Sequence, residues 1–235
     1  MMDAESVNTL TQHRLQEAMV YYRWISREIS PHLGREILEV GCGIGHLTGW
    51  LLSQGRVTAT DVNPTYLQTV EEKYRDHLQL KEILIWDIGQ NGPPNFAGSF
   101  DTIVCSNVLE HVENDEAVLR NFHPLLSPGG RLIIFVPALR ILYNGLDREL
   151  GHFRRYQRED LSRKMEGNGF RIRHLNYFNL FGILGWFVNG TLLRKRLLSA
   201  SQIRFFDKMV PLFVGVERII PARVGLSLIA VGEKN

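Results

Sequence analysis

Between residues 36 and 137, short apolar runs alternate with segments of helical period. The runs are "EILEV" (36–40), "RVTATD" (56–61), "EILIWD" (82–87), "FDTIVCSN" (100–107) and "RLIIFVP" (131–137). They are rich in Ile, Val and Leu and lack strict alternation, which predicts strands buried on both faces, as in a parallel α/β sheet. "NPTYLQTVEEKYRDH" (63–77) reads as a crossover helix, with Asn63 as its cap and Pro64 at its first position. "NDEAVLRNFHPLL" (114–126) reads as another, stopped by "SPGG". Ahead of the first strand, Leu15, Met19, Tyr22, Ile25 and Ile29 recur at three and four spacing, which predicts one amphipathic helix over 9–32. Beyond the fifth strand, "RYQREDLSRKMEGNGF" (155–170) predicts a helix ending at Gly167 or Gly169. "FRIRHLNYF" and "GLSLIAVGE" are candidate sixth and seventh strands. The roughly fifty residues between those two are too many for an ordinary connection and read as an apolar, basic, helical insert.

The first strand ends in "EVGCGIGH". A dinucleotide site needs G-x-G-x-x-G. Here the glycines are Gly41, Gly43 and Gly45, and His46 follows, which argues against NAD. Glu39, two places before Gly41, suits a cationic ligand better than a pyrophosphate. The helix opening near Gly45 offers backbone N–H groups to a carboxylate. Asp61 closes the second strand, where a carboxylate can accept from two ribose hydroxyls. Asp87 closes the third, where it can meet an adenine amino group while Val62 and Ile88 pack against the ring. The ligand so described has a cation, a carboxylate, a ribose and a base.

These segments, together with "FDTIVCSNVLEHVEN" and "LLSPGGRLIIFVP", resemble the ordered motifs of the class I S-adenosylmethionine-dependent methyltransferases over about residues 35–137. The resemblance implies a seven-stranded, mostly parallel sheet with an antiparallel last strand and helices on both faces. It implies that Glu39, Gly41, Gly43 and Gly45 hold the methionine end of S-adenosyl-L-methionine, Asp61 the ribose and Asp87 the adenine. It puts Asn107 beneath the cofactor and gives Tyr22, on an N-terminal helix, a contact with its carboxylate; Trp24 is expected in the core instead. The expected organisation is an N-terminal cap helix over 1–34 and a methyltransferase domain over 35–235, with a lid or substrate insert at about 177–225.

Composition adds the boundaries. The chain is 44% hydrophobic and 22% charged, which is ordinary for a globular domain. The N-terminal stretch lacks the basic and apolar regions of a secretory signal. Two cysteines, Cys42 and Cys105, beside strands are expected to be free thiols, which fits a cytoplasmic protein. No paired Cys or His spacing exists, so no metal site is expected. Charge is lopsided: residues 1–139 carry 10 Lys/Arg against 17 Asp/Glu, and residues 140–235 carry 17 against 8. Either the basic half faces an anion or the two halves neutralise each other.

Methyl transfer to a hydroxyl benefits from a base. His111 in "LEHVEN" and His152 and Tyr156 in "YNGLDRELGHFRRYQRED" are the candidates, with Tyr143, Arg154 and Arg155 for substrate binding. Two Arg between aromatic residues suit a phosphate or carboxylate. That segment resembles a bacterial methyltransferase branch with "GHxRRY". The uncharged stretch 175–193, followed by "RKR", reads as a lid or dimer interface, or as a peripheral membrane contact across 175–223 made by Phe181, Trp186 and Phe187 with Arg194, Lys195, Arg196 and Arg204. The expected substrate is a small or lipid-linked molecule methylated at oxygen. Nitrogen or carbon acceptors such as a quinone-type ring, and a non-catalytic binding module, are the rivals. A nucleic-acid partner is not expected, since "SNVL" lacks the Asn/Asp-Pro-Pro-aromatic signature and no recognition module is present.

Overall fold

A computed structural model of the chain describes residues 4–90, 94–219 and 223–235. All seven strands form one sheet: β1 (Glu36–Val40), β2 (Arg56–Asp61), β3 (Leu80–Ile85), β4 (Phe100–Ser106), β5 (Leu126–Pro137), β6 (Phe170–Phe178) and β7 (Ser227–Lys234). Their order is β3-β2-β1-β4-β5-β7-β6. β7 runs antiparallel to both β5 and β6, and the pairs among β1 to β5 are parallel. Register brings the carboxyl ends level: Val40 pairs with Thr60 on one side and with Cys105 on the other.

The lack of alternation in the strands has its cause in two cores. Leu38, Val40, Ile103, Cys105, Leu132, Ile134 and Val136 pack on one face with Val118, Leu119 and Phe122 of α5 (Asp115–Phe122) and Leu161 and Met165 of α7 (Arg158–Gly167). Ile37, Val104, Ile133 and Phe135 point the other way. They meet Ile25 and Ile29 of α2 (Met19–Ile29), Leu51 of α3 (Thr48–Leu51) and Leu67 and Val70 of α4 (Pro64–Tyr74). Strands β1, β4 and β5 thus alternate between two apolar destinations, whereas β3, expected to be buried on both faces, is an edge strand that exposes Lys81, Glu82 and Ile85. Asn63 caps α4 as expected, its Oδ1 accepting from the Thr65 amide at 2.9 Å. Trp24 lies in the second core, its ring 4.1 Å from that of Phe178.

Two elements differ from expectation. The single helix over 9–32 is two: α1 (Ala4–Leu15) ends in a turn at Gln16–Ala18, and α2 sets off from there. The periodicity of apolar positions continues through the break, so spacing alone does not reveal it. "SPGG" also lies inside β5 rather than before it. Phe100 pairs with Leu126 but Thr102 with Arg131, so Ser127–Gly130 bulge out of the ladder, Gly129 at φ +72°.

The insert is helical as expected: α8 (Gly182–Trp186), a π-helical turn (Phe187–Leu192) and α9 (Ala200–Ile219). Among the described residues no helix is long and apolar enough to cross a membrane. α9 carries Pro211 and packs on α2. α2 has no side-chain cap of its own. Asp207 of α9 supplies one, its carboxylate accepting from the Val20 amide at 3.2 Å and the Tyr21 amide at 2.8 Å. Arg14 donates to the Leu198 carbonyl at 2.6 Å, and Arg204 pairs with Glu17 at 3.4 Å. Charge on the two halves of the chain is thereby matched in part, as it is where Asp115 takes Arg154 and Lys164. Because an N-cap carboxylate is worth about 1–2 kcal/mol, Asp207→Ala should lower stability by about that amount in urea unfolding. The same variant should speed amide exchange at Val20 and Tyr21 in hydrogen-exchange mass spectrometry.

Candidate active site

The order of strands reverses between β1 and β4, and ligands of open α/β sheets bind outside the carboxyl ends at such a point. A cavity of about 810 Å³ lies there. Its floor comes from the turns after β1 and β4: Glu39, Gly41, Cys42, Asn107, Glu110 and His111 line it. α1 and α2 cover one end with Gln12, Leu15 and Tyr22, and the insert covers the other with Phe181, Trp186 and Phe206.

The glycine turn needs its glycines. Gly41, Gly43 and Gly45 have φ of +66°, +53° and +88°, in the left-handed region that side chains disfavour. A Cβ on Gly41 would stand 2.2 Å from the Val108 side chain. Asp61 Oδ2 accepts from the Gly43 amide at 2.9 Å and Oδ1 from the Asn63 amide at 2.9 Å, which fastens the turn to the end of β2. Burial raises the Asp61 carboxyl, against those two amides. Glu39 is buried, with Oε2 accepting from Thr48 Oγ1 at 2.7 Å. Burial pushes its carboxyl up to about 8, and Asp61 adds to the rise. Val62 and Asp87 are exposed beyond this turn, Asp87 Oδ1 holding the Gly89 amide at 2.9 Å. Ile88 lies in the sheet's first core, so a ring contact from its side chain is not what this structure displays. Asn107 adopts φ +52° directly after β4 and is exposed to the cavity. Tyr22 stacks on His46 at 4.8 Å, with 10° between the rings. Burial drives the Tyr22 hydroxyl above its ordinary value and holds His46 down to about 4.

The second half of the cavity gathers residues from the "LEHVEN" and "GHFRRY" segments. His111 and His152 meet edge to face, ring centroids 4.7 Å apart. Asp147 binds the segment together: His152 Nδ1 lies 3.0 Å from its Oδ1, Arg155 Nε donates to the same oxygen at 2.8 Å, and Trp186 Nε1 and the Asn144 amide donate to Oδ2. Burial alone would raise Asp147, but His152 and Arg155 hold it below the usual carboxylate range. Burial lowers His111 to about 4, with His152 adding to the effect. Glu110 was not among the expected residues. It is fully buried beside His111, and burial lifts its carboxyl to about 7.

Several expected residues are not brought to this cavity. Tyr156 is 2% exposed, its hydroxyl donating to Asp115 at 2.9 Å, so it holds the first core rather than a substrate. Arg154 is taken up by Asp115 and the Glu113 carbonyl. Arg155 does line the cavity, but its guanidinium is engaged by Asp147, by the Ala138 carbonyl at 3.0 Å and by the Trp186 ring at 4.6 Å. The two arginines are therefore ties between segments, not an open anion site. Tyr143 donates to the His152 carbonyl at 2.7 Å and so steadies the loop. Cys42 and Cys105 are free and buried, as expected.

Residues 38–132 match the family model described as a methyltransferase domain. The chain is 33% identical over 112 residues to a ubiquinone biosynthesis O-methyltransferase of Albidiferax ferrireducens, covering 46% of this chain and 42% of that one. It is 28% identical over 161 residues to a highly reducing polyketide synthase of Emericella nidulans, covering 59% of this chain and 6% of that one. The match thus spans less than half the length of either relative. Among solved structures, an S-adenosylmethionine-dependent methyltransferase from Mesorhizobium loti superposes with a TM-score of 0.63 at 18% identity, over 91% of this chain and 98% of that one. The fold is that of the class I methyltransferases, with the seven strands and the antiparallel last strand that the motifs implied.

The raised Glu39 carboxyl makes binding of an ammonium-bearing ligand depend on pH. At pH 7 the free protein holds Glu39 mostly protonated, and an ammonium beside it favours the ionised form. Binding should therefore release up to about one proton at pH 7, with affinity rising towards pH 8 and levelling above it. Calorimetry in buffers of different ionisation enthalpy measures this, and Glu39→Gln should abolish the proton release. In the free protein the sign is opposite for stability: a carboxyl raised to about 8 stabilises below its unfolded value and loses that contribution as pH climbs through 8.

Proposed function

We propose that the chain is an S-adenosyl-L-methionine-dependent methyltransferase that modifies an oxygen atom of a small, sugar or lipid-linked acceptor. The chain is an enzyme, and its cofactor is S-adenosyl-L-methionine. One observation carries the reading: a single cavity runs from the glycine turn and Glu39 to the polar cluster of His111 and His152. The residues present fit the cofactor. Gln12 Oε1 and His46 Nε2 are buried at that end of the cavity without a hydrogen-bond partner, and both are free to meet a polar ligand. The Gly41 cradle is one that a Cβ would fill. Asp61 keeps lone pairs beyond those its two amides use. When bound, the cofactor supplies an activated sulfonium methyl, so the task of this chain is alignment and exclusion of water.

The acceptor end is apolar apart from the polar cluster. Phe181, Phe206, Met209 and Phe213 line it, and Leu184 and Phe205 stand at its rim, 70% and 69% exposed. An acceptor with a large hydrocarbon portion fits this lining, and the exposed rim suits entry from a membrane surface or from a second copy of the chain. The "GHFRRY" segment places His152 on the cavity, with its Nδ1 held by Asp147. That leaves the other ring nitrogen for an acceptor hydroxyl, which is why oxygen is favoured over carbon. The name of the ubiquinone O-methyltransferase relative points the same way.

Calorimetry with S-adenosylhomocysteine against NAD tests the reading: the first should bind with a Kd in the micromolar range and the second should not. Absence of S-adenosylhomocysteine binding by folded protein overturns it. Asp61→Ala should weaken S-adenosylhomocysteine at least about tenfold, the loss of one charge-assisted hydrogen bond. Since this change also frees the Gly43 amide, the melting temperature of the variant is measured alongside.

A further inference from the structure

Glu110 poses a problem of its own. It is a fully buried carboxylic acid, and neither of its oxygens has a hydrogen-bond partner in the protein. Buried polar groups in native proteins are nearly always bonded, and an orphaned one points to a water or an ion. The neighbouring cation does not answer the need: Arg155 donates to Asp147 and the Ala138 carbonyl and makes no hydrogen bond to Glu110. What stands close instead is a pair of imidazoles. One atom each of Glu110, His111 and His152 lie within 4.8 Å of one another, all on the cavity wall.

We propose that Glu110, His111 and His152 bind one divalent transition-metal ion, with its open coordination positions turned into the cavity. Two imidazoles and a carboxylate are the donor set of His₂Glu zinc sites and of first-row metal sites that keep positions for a substrate, and suit zinc, manganese, iron or cobalt better than magnesium. Donor atoms at about 2.0–2.2 Å from a common centre lie about 3–4.5 Å apart, so the present spacing closes onto an ion with small side-chain movements. The surroundings are prepared as well. Asp147 holds His152 Nδ1, which fixes the ring and leaves Nε2 as the ligating atom, the carboxylate–histidine–metal arrangement that orients ligands in metal sites. Asp147 is itself fixed by donors from Asn144, Arg155 and Trp186. Gly151, at φ +75°, makes the turn that brings His152 to His111; a Cβ there would stand 3.9 Å from His111 Nδ1.

For what the ion does, the proposal rests on the methyltransferase reading: with His152 Nε2 on the ion, the bound cation, in place of that nitrogen, would take an oxygen of the acceptor as ligand and make its hydroxyl more acidic. Acceptors with two neighbouring oxygens would fill two open positions. Whether the ion binds does not depend on that reading.

The test uses chelator-treated, dialysed full-length chain. Zinc titrated by calorimetry should bind at one ion per chain with micromolar or tighter Kd, and cobalt should give visible ligand-field absorption. His111→Asn and His152→Asn should each weaken zinc on the order of a hundredfold, while His77→Asn, on the exposed surface, should not change it. Each variant's melting temperature and S-adenosylhomocysteine affinity show whether it is folded. No stoichiometric ion on the wild type, or affinity unmoved by both variants, overturns the metal site and means that Glu110 is met by water alone. The two readings separate cleanly. S-adenosylhomocysteine binding without metal binding removes this proposal and leaves the methyltransferase. Metal binding without S-adenosylhomocysteine does the reverse.

Discussion

The site depends on one constraint of chain direction. After β1 the chain turns to one face of the sheet, where α3 joins the second core; after β4 it turns to the other, where α5 joins the first. Strands β1 and β4 are neighbours, so their departing chains diverge and leave the space above their carboxyl ends without backbone. His46 after β1 and Asn107, Glu110 and His111 after β4 therefore border a cleft. The aligned register brings the ends of β1, β2 and β4 level at Val40, Thr60 and Cys105, with Glu39 and Asn107 lining the cleft and Asp61 tied to its glycine turn. Filling such a cleft with local chain would demand a different strand order, so the vacancy is a property of the topology and the chemistry is carried by the turns.

The other end of the cavity is organised by a buried charge. Asp147 accepts from the Asn144 amide, His152, Arg155 and Trp186, and is wholly buried. A lone buried carboxylate is costly, whereas one met by several donors is stable and rigid. Through it the loop after β5 and the apolar insert hold one arrangement. Trp186, an apolar ring with one donor, becomes the joint between them, which explains why it points inward instead of towards solvent or lipid.

The fold and the glycine turn were legible because they follow local rules. Strand patterning, the Asn63–Pro64 helix start and the spacing of Glu39, three glycines, Asp61 and Asp87 all lie within short windows, and the sheet follows from their order. The acceptor half was legible only in part. His111 and His152 announce themselves as titratable residues in "LEHVEN" and "GHFRRY", yet they are separated by forty-one positions and their meeting is a tertiary fact. Glu110 was not singled out in "LEHVEN", because nothing in a sequence window tells a short helical turn that its glutamate faces inward. Arg154, Arg155 and Tyr156 misled for the same reason: their types fit an anion site, but their partners Asp115 and Asp147 come from elsewhere. The break between α1 and α2 left no mark in the apolar period.

The seam between α2 and α9 has a consequence for turnover. The roof over the cofactor end and the roof over the acceptor end are joined by Asp207 at the start of α2 and by Arg14 at the Leu198 carbonyl. Neither cover can swing away while those bonds hold, so entry of either molecule draws on the same few interactions. On the proposed methyltransferase reading, departure of both products would then depend on how often this seam parts. A homologue with a weaker seam would trade tight sequestration for faster exchange, without any alteration to the groups that touch the transferred methyl.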